Sequence, residues 1–279
     1  MNSRLDCIVL AAACLAAAVP VTGQTPLMEI TAVGSQYFMT ADLGDIDGDG
    51  VPDLIVSDDA GETYVYSGVD SSVIHVFPST VIRTSAAAAG DVNGDGTGDV
   101  IVGYHTTASA VVHSGADGSQ IHALSGTAGS RFGFAVDGAG DVNGDGFSDV
   151  IVGSAFDATN VMAHGSRVRV ISGLTGGILH EYTASASAGY GRDVGGVGDV
   201  NGDGCDEFFF FSEAIPGTLH VHSGMTGANL YMVGNGGDFG VTASRTGDMN
   251  DDGVEDLCAY VPGNPFIEVL SGTDGSPIW

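Results

Sequence analysis

The chain has 279 residues, 45 of them glycine and only 8 proline, with 43% hydrophobic content. That balance suits one turn-dense, all-β fold and excludes a disordered or collagen-like chain. The formal net charge is -28, with seven arginines and no lysine, which excludes a nucleic-acid partner by repulsion from phosphate and makes a cation the natural complement.

The first residues, MNSRLD and then CIVLAAACLAAAVPV, read as a charged start and an apolar run of signal-peptide length. Val21-Thr22-Gly23 supplies small or permissive residues for cleavage before Gln24. Residues 1–23 are therefore expected to be a signal peptide, and 24–279 a single domain that is secreted or held at the cell surface or in the periplasm. The apolar run is shorter than the ~18 residues of a membrane anchor, so no span is expected in the mature chain. Cys7 and Cys14 fall in the leader, and Cys205 with Cys258 makes no disulfide framework.

Pro26 to Thr31 (PLMEIT) has the character of a strand standing alone before the first full repeat. Five acidic loops then follow: GDIDGDGVPD from Gly44, GDVNGDGTGD from Gly90, GDVNGDGFSD from Gly140, GDVNGDGCDE from Gly198 and GDMNDDGVED from Gly247. Their first aspartates lie 46, 50, 58 and 49 residues apart, the period of a repeat architecture.

Each repeat carries four short apolar segments, and the third shows them best: Phe132 to Ala139, Asp149 to Gly153, Arg167 to Ser172 and Ile178 to Tyr182. In the other repeats DLIVS, DVIVG, EFFFF and DLCAY follow the acidic loop, and the third segment always ends in Ser-Gly. After the leader no window of helical period appears, so the expected fold is a β-propeller of four-stranded blades, with a parallel β-solenoid as runner-up. Trp279 stands where the fifth repeat begins its fourth segment. PLMEIT therefore either completes the last blade of a closed ring, or the chain is a partial propeller.

Ahead of three acidic loops stand Phe132-Gly133, Tyr190-Gly191 and Phe239-Gly240. With the loop and the IVG strand after it, this pattern resembles the FG-GAP repeat of the integrin alpha-chain propeller and of many secreted bacterial proteins, over roughly residues 32 to 279. The resemblance implies a propeller with calcium in its hairpin loops. The first two repeats lack the Phe-Gly pair, and five repeats are clear where integrin-type propellers have seven blades.

Counted from the first aspartate, positions 1, 3, 5 and 9 carry oxygen side chains in every loop. They are Asp45, Asp47, Asp49 and Asp53, then Asp91, Asn93, Asp95 and Asp99, then Asp141, Asn143, Asp145 and Asp149. The fourth loop offers Asp199, Asn201, Asp203 and Glu207, and the fifth Asp248, Asn250, Asp252 and Asp256. Glycine at position 6 lets the backbone reverse, so that the carbonyls of Val51, Thr97, Phe147, Cys205 and Val254 can join the set. Turn-making alone explains one carboxylate per turn, whereas three or four call for a cation among them. Six to eight oxygen ligands suit calcium rather than zinc, giving up to five structural ions. The loop is no helix-loop-helix hand, because position 12 is apolar where that motif needs glutamate. In the fourth loop Asp206 stands beside Glu207 as a competitor for the ion.

Most of the eight histidines occupy repeat-equivalent strand positions: His113 and His222 precede Ser-Gly, while His75, His122 and His180 share a fourth-strand place with Tyr231 and Trp279. A packing role is expected for them. Asp58, Asp59 and Glu62 read as a solvated acidic loop, and Arg167 with Arg169 as neutralisers of nearby acids. The insertion from Ser154 to Ser166 is the longest between strands and the expected place for ligand contact. There is no HExxH, GxSxG or phosphate-cradling loop. The expected function is a calcium-binding adhesion module for an extracellular protein or glycan. The alternative is a propeller-type carbohydrate-active or hydrolytic enzyme whose site is assembled from scattered residues.

Overall fold

The computed structural model describes residues 37–58, 61–79, 81, 84–154, 166–184, 189–212, 217–234, 242–260 and 267–278. The leader, PLMEIT, the core of the long insertion, Phe239-Gly240 and Trp279 lie outside the described residues.

Each acidic loop sits between the first and second strands of one antiparallel sheet, and five such sheets follow one another along the chain. The first blade is β1 (Tyr37–Gly44), β2 (Asp53–Asp58), β3 (Thr63–Tyr66) and β4 (Val73–Phe77). The second is β5 (Ser85–Gly90), β6 (Asp99–Tyr104), β7 (Ser109–His113) and β8 (Gln120–Ser125). The third is β9 (Phe132–Gly140), β10 (Asp149–Ser154), β11 (Ser166–Ile171) and β12 (Ile178–Ala184). The fourth is β13 (Val194–Gly198), β14 (Glu207–Ser212), β15 (Thr218–His222) and β16 (Asn229–Val233). The fifth has three strands, β17 (Ala243–Gly247), β18 (Asp256–Tyr260) and β19 (Ile267–Leu270). A fourth begins where Pro277 bridges Leu270 and the Ile278 amide donates to the Val269 carbonyl at 2.7 Å.

Among the described residues all pairings run between sequence neighbours, so every blade is a meander and no strand there crosses between blades. The first strands β1, β5, β9, β13 and β17 pack side by side in series. This is the propeller expected from the repeat.

The second strands read as continuous apolar runs because both of their faces are covered. In β10, Val150 and Val152 pack toward the second blade while Ile151 packs toward the fourth. β14 does the same with four consecutive phenylalanines, all buried. The outermost strands alternate between exposed and half-buried positions, as in β12.

Five blades stacked this way make four apolar cores, each shared by two neighbours. Among the described residues no core joins the fifth blade to the first.

Glycine before each first aspartate has a specific cause. Each first strand bulges there, with a register shift at Gly44, Gly90, Gly140, Gly198 and Gly247. These glycines sit at φ between 68° and 77°, so the bulge turns the strand into the loop at a conformation that side chains disfavour.

Candidate metal loops and interblade clasps

The five loops fold alike from position 1 onward. Asp45 accepts the amides of Gly48 and Asp49 on Oδ1 and that of Gly50 on Oδ2, at 2.8 to 3.0 Å. Asp91, Asp141 and Asp199 repeat all three bonds, and Asp248 accepts the amides of Asp252 and Gly253. The aspartate at position 5 accepts the amide of position 7, from Val51, Thr97, Phe147, Cys205 and Val254. Position 6 is at φ 88° or 89° in all five loops, which is why glycine stands there.

The structure brings the carboxylates together in two loops. Oxygens of Asp45, Asp47 and Asp49 lie within 4.8 Å of one another, as do those of Asp199, Asp203 and Glu207. That separation fits a sphere of about 2.4 Å radius, the calcium–oxygen distance, and the all-oxygen donor set has the chemistry of a hard cation. In the first loop Asp47 has its pKa raised, by desolvation first and then by the like charges of Asp53, Asp49 and Asp45. In the second loop the Asn93 amide donates to Asp95, in the third the Asn143 amide approaches Asp149, and in the fourth the Asn201 amide donates to Asp203 and Glu207.

Position 9 has a different environment. Asp53, Asp99, Asp149, Glu207 and Asp256 are buried at 2% exposure or less. One oxygen of each accepts the amide of position 2 in its own loop: Ile46, Val92, Val142, Val200 and Met249. The other accepts the amide of the Ser-Gly glycine after the third strand: Gly68, Gly115, Gly173, Gly224 and Gly272. The invariant Ser-Gly is thus the partner of the ninth acid, a link the repeated spelling carried but did not explain. Burial pushes Asp99 up to about 6, and Asp149 and Glu207 up to about 7, against the pull of these same amides.

The same glycines accept a bond from the preceding blade. His75 Nε2 meets the Gly115 carbonyl at 2.7 Å, His122 meets Gly173 at 2.5 Å, and His180 meets Gly224 at 2.6 Å. Tyr231 Oη donates to the Gly272 carbonyl at 2.7 Å. The expected packing role of these positions therefore has a polar part that ties each blade to its successor. His113 and His222 sit on the reverse face: His113 stacks on Phe77 of the first blade at 4.2 Å, and His222 packs on Tyr182 of the third.

Neighbouring loops also touch. The amides of Ser148 and Asp206 donate to the carbonyls of Asp91 and Asp141. Asp206 Oδ2 accepts the Asp141 amide at 2.9 Å, so this acid belongs to the third loop's backbone and does not compete with Glu207.

The Phe-Gly pair has a packing cause. A methyl group on Gly133 would lie 2.3 Å from the Ser109 carbonyl and 3.2 Å from the Gly103 Cα, and one on Gly191 would lie 2.9 Å from the Gly153 Cα. The Phe-Gly glycine and the IVG glycine of the preceding blade therefore fit only as a pair. At the first interface, where neither is present, Ser57, Thr63 and Thr84 join their hydroxyls instead.

Asp58 is buried at the end of β2, where its Oδ1 accepts the Glu62 amide, which corrects its reading as part of a solvated loop. Glu62 accepts the Tyr64 hydroxyl, and Asp59 lies outside the described residues. Arg167 and Arg169 both reach Glu181, and Arg169 also lies over the Phe132 ring. No disulfide joins Cys205 and Cys258.

Sequence reasoning missed one acid pair. Asp193 accepts the Val194 amide and, across to the fifth blade, the Ala243 amide at 2.8 Å. Asp137 accepts the Gly138 amide. Burial pushes Asp137 up to about 7, against the Arg245 charge, and Asp193 up to about 6. Neither belongs to the repeat spelling, so only the fold places them between the third, fourth and fifth blades.

The comparisons agree with this geometry. An FG-GAP-like repeat family matches residues 45–102, and the FG-GAP repeat family matches residues 132–167. No curated protein matches the chain. Among solved structures, Sqt1 of Saccharomyces cerevisiae is similar at 10% identity and a TM-score of 0.58, over 84% of this chain and 60% of that one. The chain thus spans three-fifths of the length of that structure, and the likeness is one of fold. From these two matches and its five blades, the chain is a β-propeller that carries FG-GAP repeats.

Proposed function

We propose that this chain is an exported, calcium-stabilised binding module that engages an extracellular protein or a surface glycan. The observation that carries the calcium reading is the convergence of three carboxylates in the first and fourth loops, on a radius that suits that ion. Asp45, Asp47 and Asp49 would hold the ion in the first loop, and Asp199, Asp203 and Glu207 in the fourth. The ion would neutralise the crowded acids and fix the hairpin. Export rests on the apolar leader, and adhesion on the FG-GAP propeller type, which suggests a binding module. No helix among the described residues is long and apolar enough to cross a membrane.

With a dissociation constant of ~0.1 mM in ~1 mM calcium, each occupied site adds about 1.4 kcal/mol by linkage. Thermal melting in millimolar calcium, in millimolar magnesium and in excess chelator tests this reading. Calcium alone should raise the midpoint, and identical melting in calcium and chelator overturns it. A glycan and extracellular-protein array probed with folded and with heat-treated protein tests the ligand class. Turnover of a polysaccharide or ester panel without retained binding would favour the enzymatic alternative.

A further inference from the structure

Position 8 of the five loops is held by Pro52, Gly98, Ser148, Asp206 and Glu255, each between the position-7 residue and the ninth acid. In the third loop the Ser148 amide donates to the Asp91 carbonyl of the second loop at 3.0 Å, a single bond. In the fourth loop Asp206 makes two, because its amide donates to the Asp141 carbonyl and its Oδ2 accepts the Asp141 amide, both at 2.9 Å. Of the five, only Asp206 returns a side-chain bond to the loop before it. Gly140 leaves the room for that carboxylate, since a methyl group there would collide with it. Cys205 adds a packing contact, its Sγ lying 3.3 Å from where a methyl on Gly144 would stand.

Both backbone groups of Asp141 are thus held by one residue of the fourth loop. The Asp141 carboxylate in turn accepts the amides of Gly144, Asp145 and Gly146, which give the third loop its shape. On its other side Asp206 runs directly into Glu207, one of the three carboxylates that converge in the fourth loop. Among the described residues the third loop has no such convergence.

We propose that Asp206 couples these two loops, so that an ion in the fourth raises the affinity of the third. The proposal rests on the calcium reading above and adds to it a positioning residue that is not itself a ligand. A cation that draws Glu207 to Asp199 and Asp203 fixes the main chain at Asp206, and its two bonds then fix Asp141. Binding sites are coupled reciprocally, so a filled third loop favours the fourth by the same factor. Two cations in neighbouring loops repel, so their charges alone would give the opposite sign.

Calcium titration of the full chain, followed by two-dimensional amide NMR, reads the third loop at Gly146 and the fourth at Gly204. Asp203→Ala, with Gly204 no longer responding, should raise the calcium concentration that half-fills the third loop at least about fivefold. In an Asp206→Ala background the same substitution should move it less than about twofold. Asp206→Asn keeps an oxygen for the Asp141 amide and should keep the coupling. Asp206→Ser, which places in the fourth loop the residue that the third carries, serves if Asp206→Ala melts early. If no loop amide responds to calcium, the calcium reading falls and the coupling with it. If the loops fill but Gly146 is indifferent to Asp203→Ala, the coupling alone falls. A coupling that survives in Asp206→Ala, or is lost in Asp206→Asn, overturns the role given to the Asp206 side chain.

Discussion

Within each acidic loop, the first five positions and the ninth do opposite things with the same functional group. Asp45, Asp47 and Asp49 are exposed and accept amides from their own turn, whereas Asp53 is buried and joins the loop to the Ser-Gly turn. A single spelling therefore contains an exposed acidic rim and a buried clasp, and under the calcium proposal the rim would carry the ion, joined in the fourth loop by Glu207. The contrast also explains why nine residues are kept together, because the ninth acid fixes where the first five stand.

Removing the ion is the strongest way to break that contrast. If all five loops fill independently, excess chelator costs about 7 kcal/mol and lowers the melting midpoint by on the order of 15–25 °C. Substituting the clasp should cost less but in both conditions. Asp149→Ala leaves the buried amides of Val142 and Gly173 without an acceptor and should destabilise by about 3 kcal/mol with or without calcium, read by urea unfolding. Asp145→Ala, at the rim of the same loop, should cost about 1.4 kcal/mol in calcium and nothing measurable in chelator.

The buried acids outside the loops give a pH test. Asp137 and Asp193 have folded pKa values above the ordinary carboxyl range, so the native state holds their protons longer than the unfolded one. Their contribution is fully present below about pH 4 and is lost as pH rises toward 7. In chelator, the fall in urea midpoint between pH 5 and pH 7.5 should be smaller in Asp137→Asn than in the wild type. The smallest expected effect is that of His122→Ala, which removes one bond to the Gly173 carbonyl and should cost about 1 kcal/mol, again independent of calcium.

Blade and loop were legible in the sequence because both depend on residues close together in the chain. Glycine before the first aspartate, glycine at position 6 and the apolar run after position 9 each answer to a local backbone or burial demand. The interblade bonds were not legible, since the histidine or tyrosine lies 40 to 51 residues from the glycine carbonyl it meets. Their signal was nonetheless written in the repeats. His75, His122, His180 and Tyr231 share one place, and what they share is a ring polar atom able to reach a carbonyl. Asp206 was misjudged for a related reason: its neighbour in sequence is Glu207, but its partner is the Asp141 amide, 65 residues away.

The clasps from fourth strand to Ser-Gly turn all point one way. In each of the four, the earlier blade contributes the ring and the later blade the carbonyl. During synthesis, a completed blade would therefore already display the group that catches the one emerging behind it. Growth of the propeller then has a polarity matched to translation, and a blade misplaced out of order would find its carbonyl facing no ring.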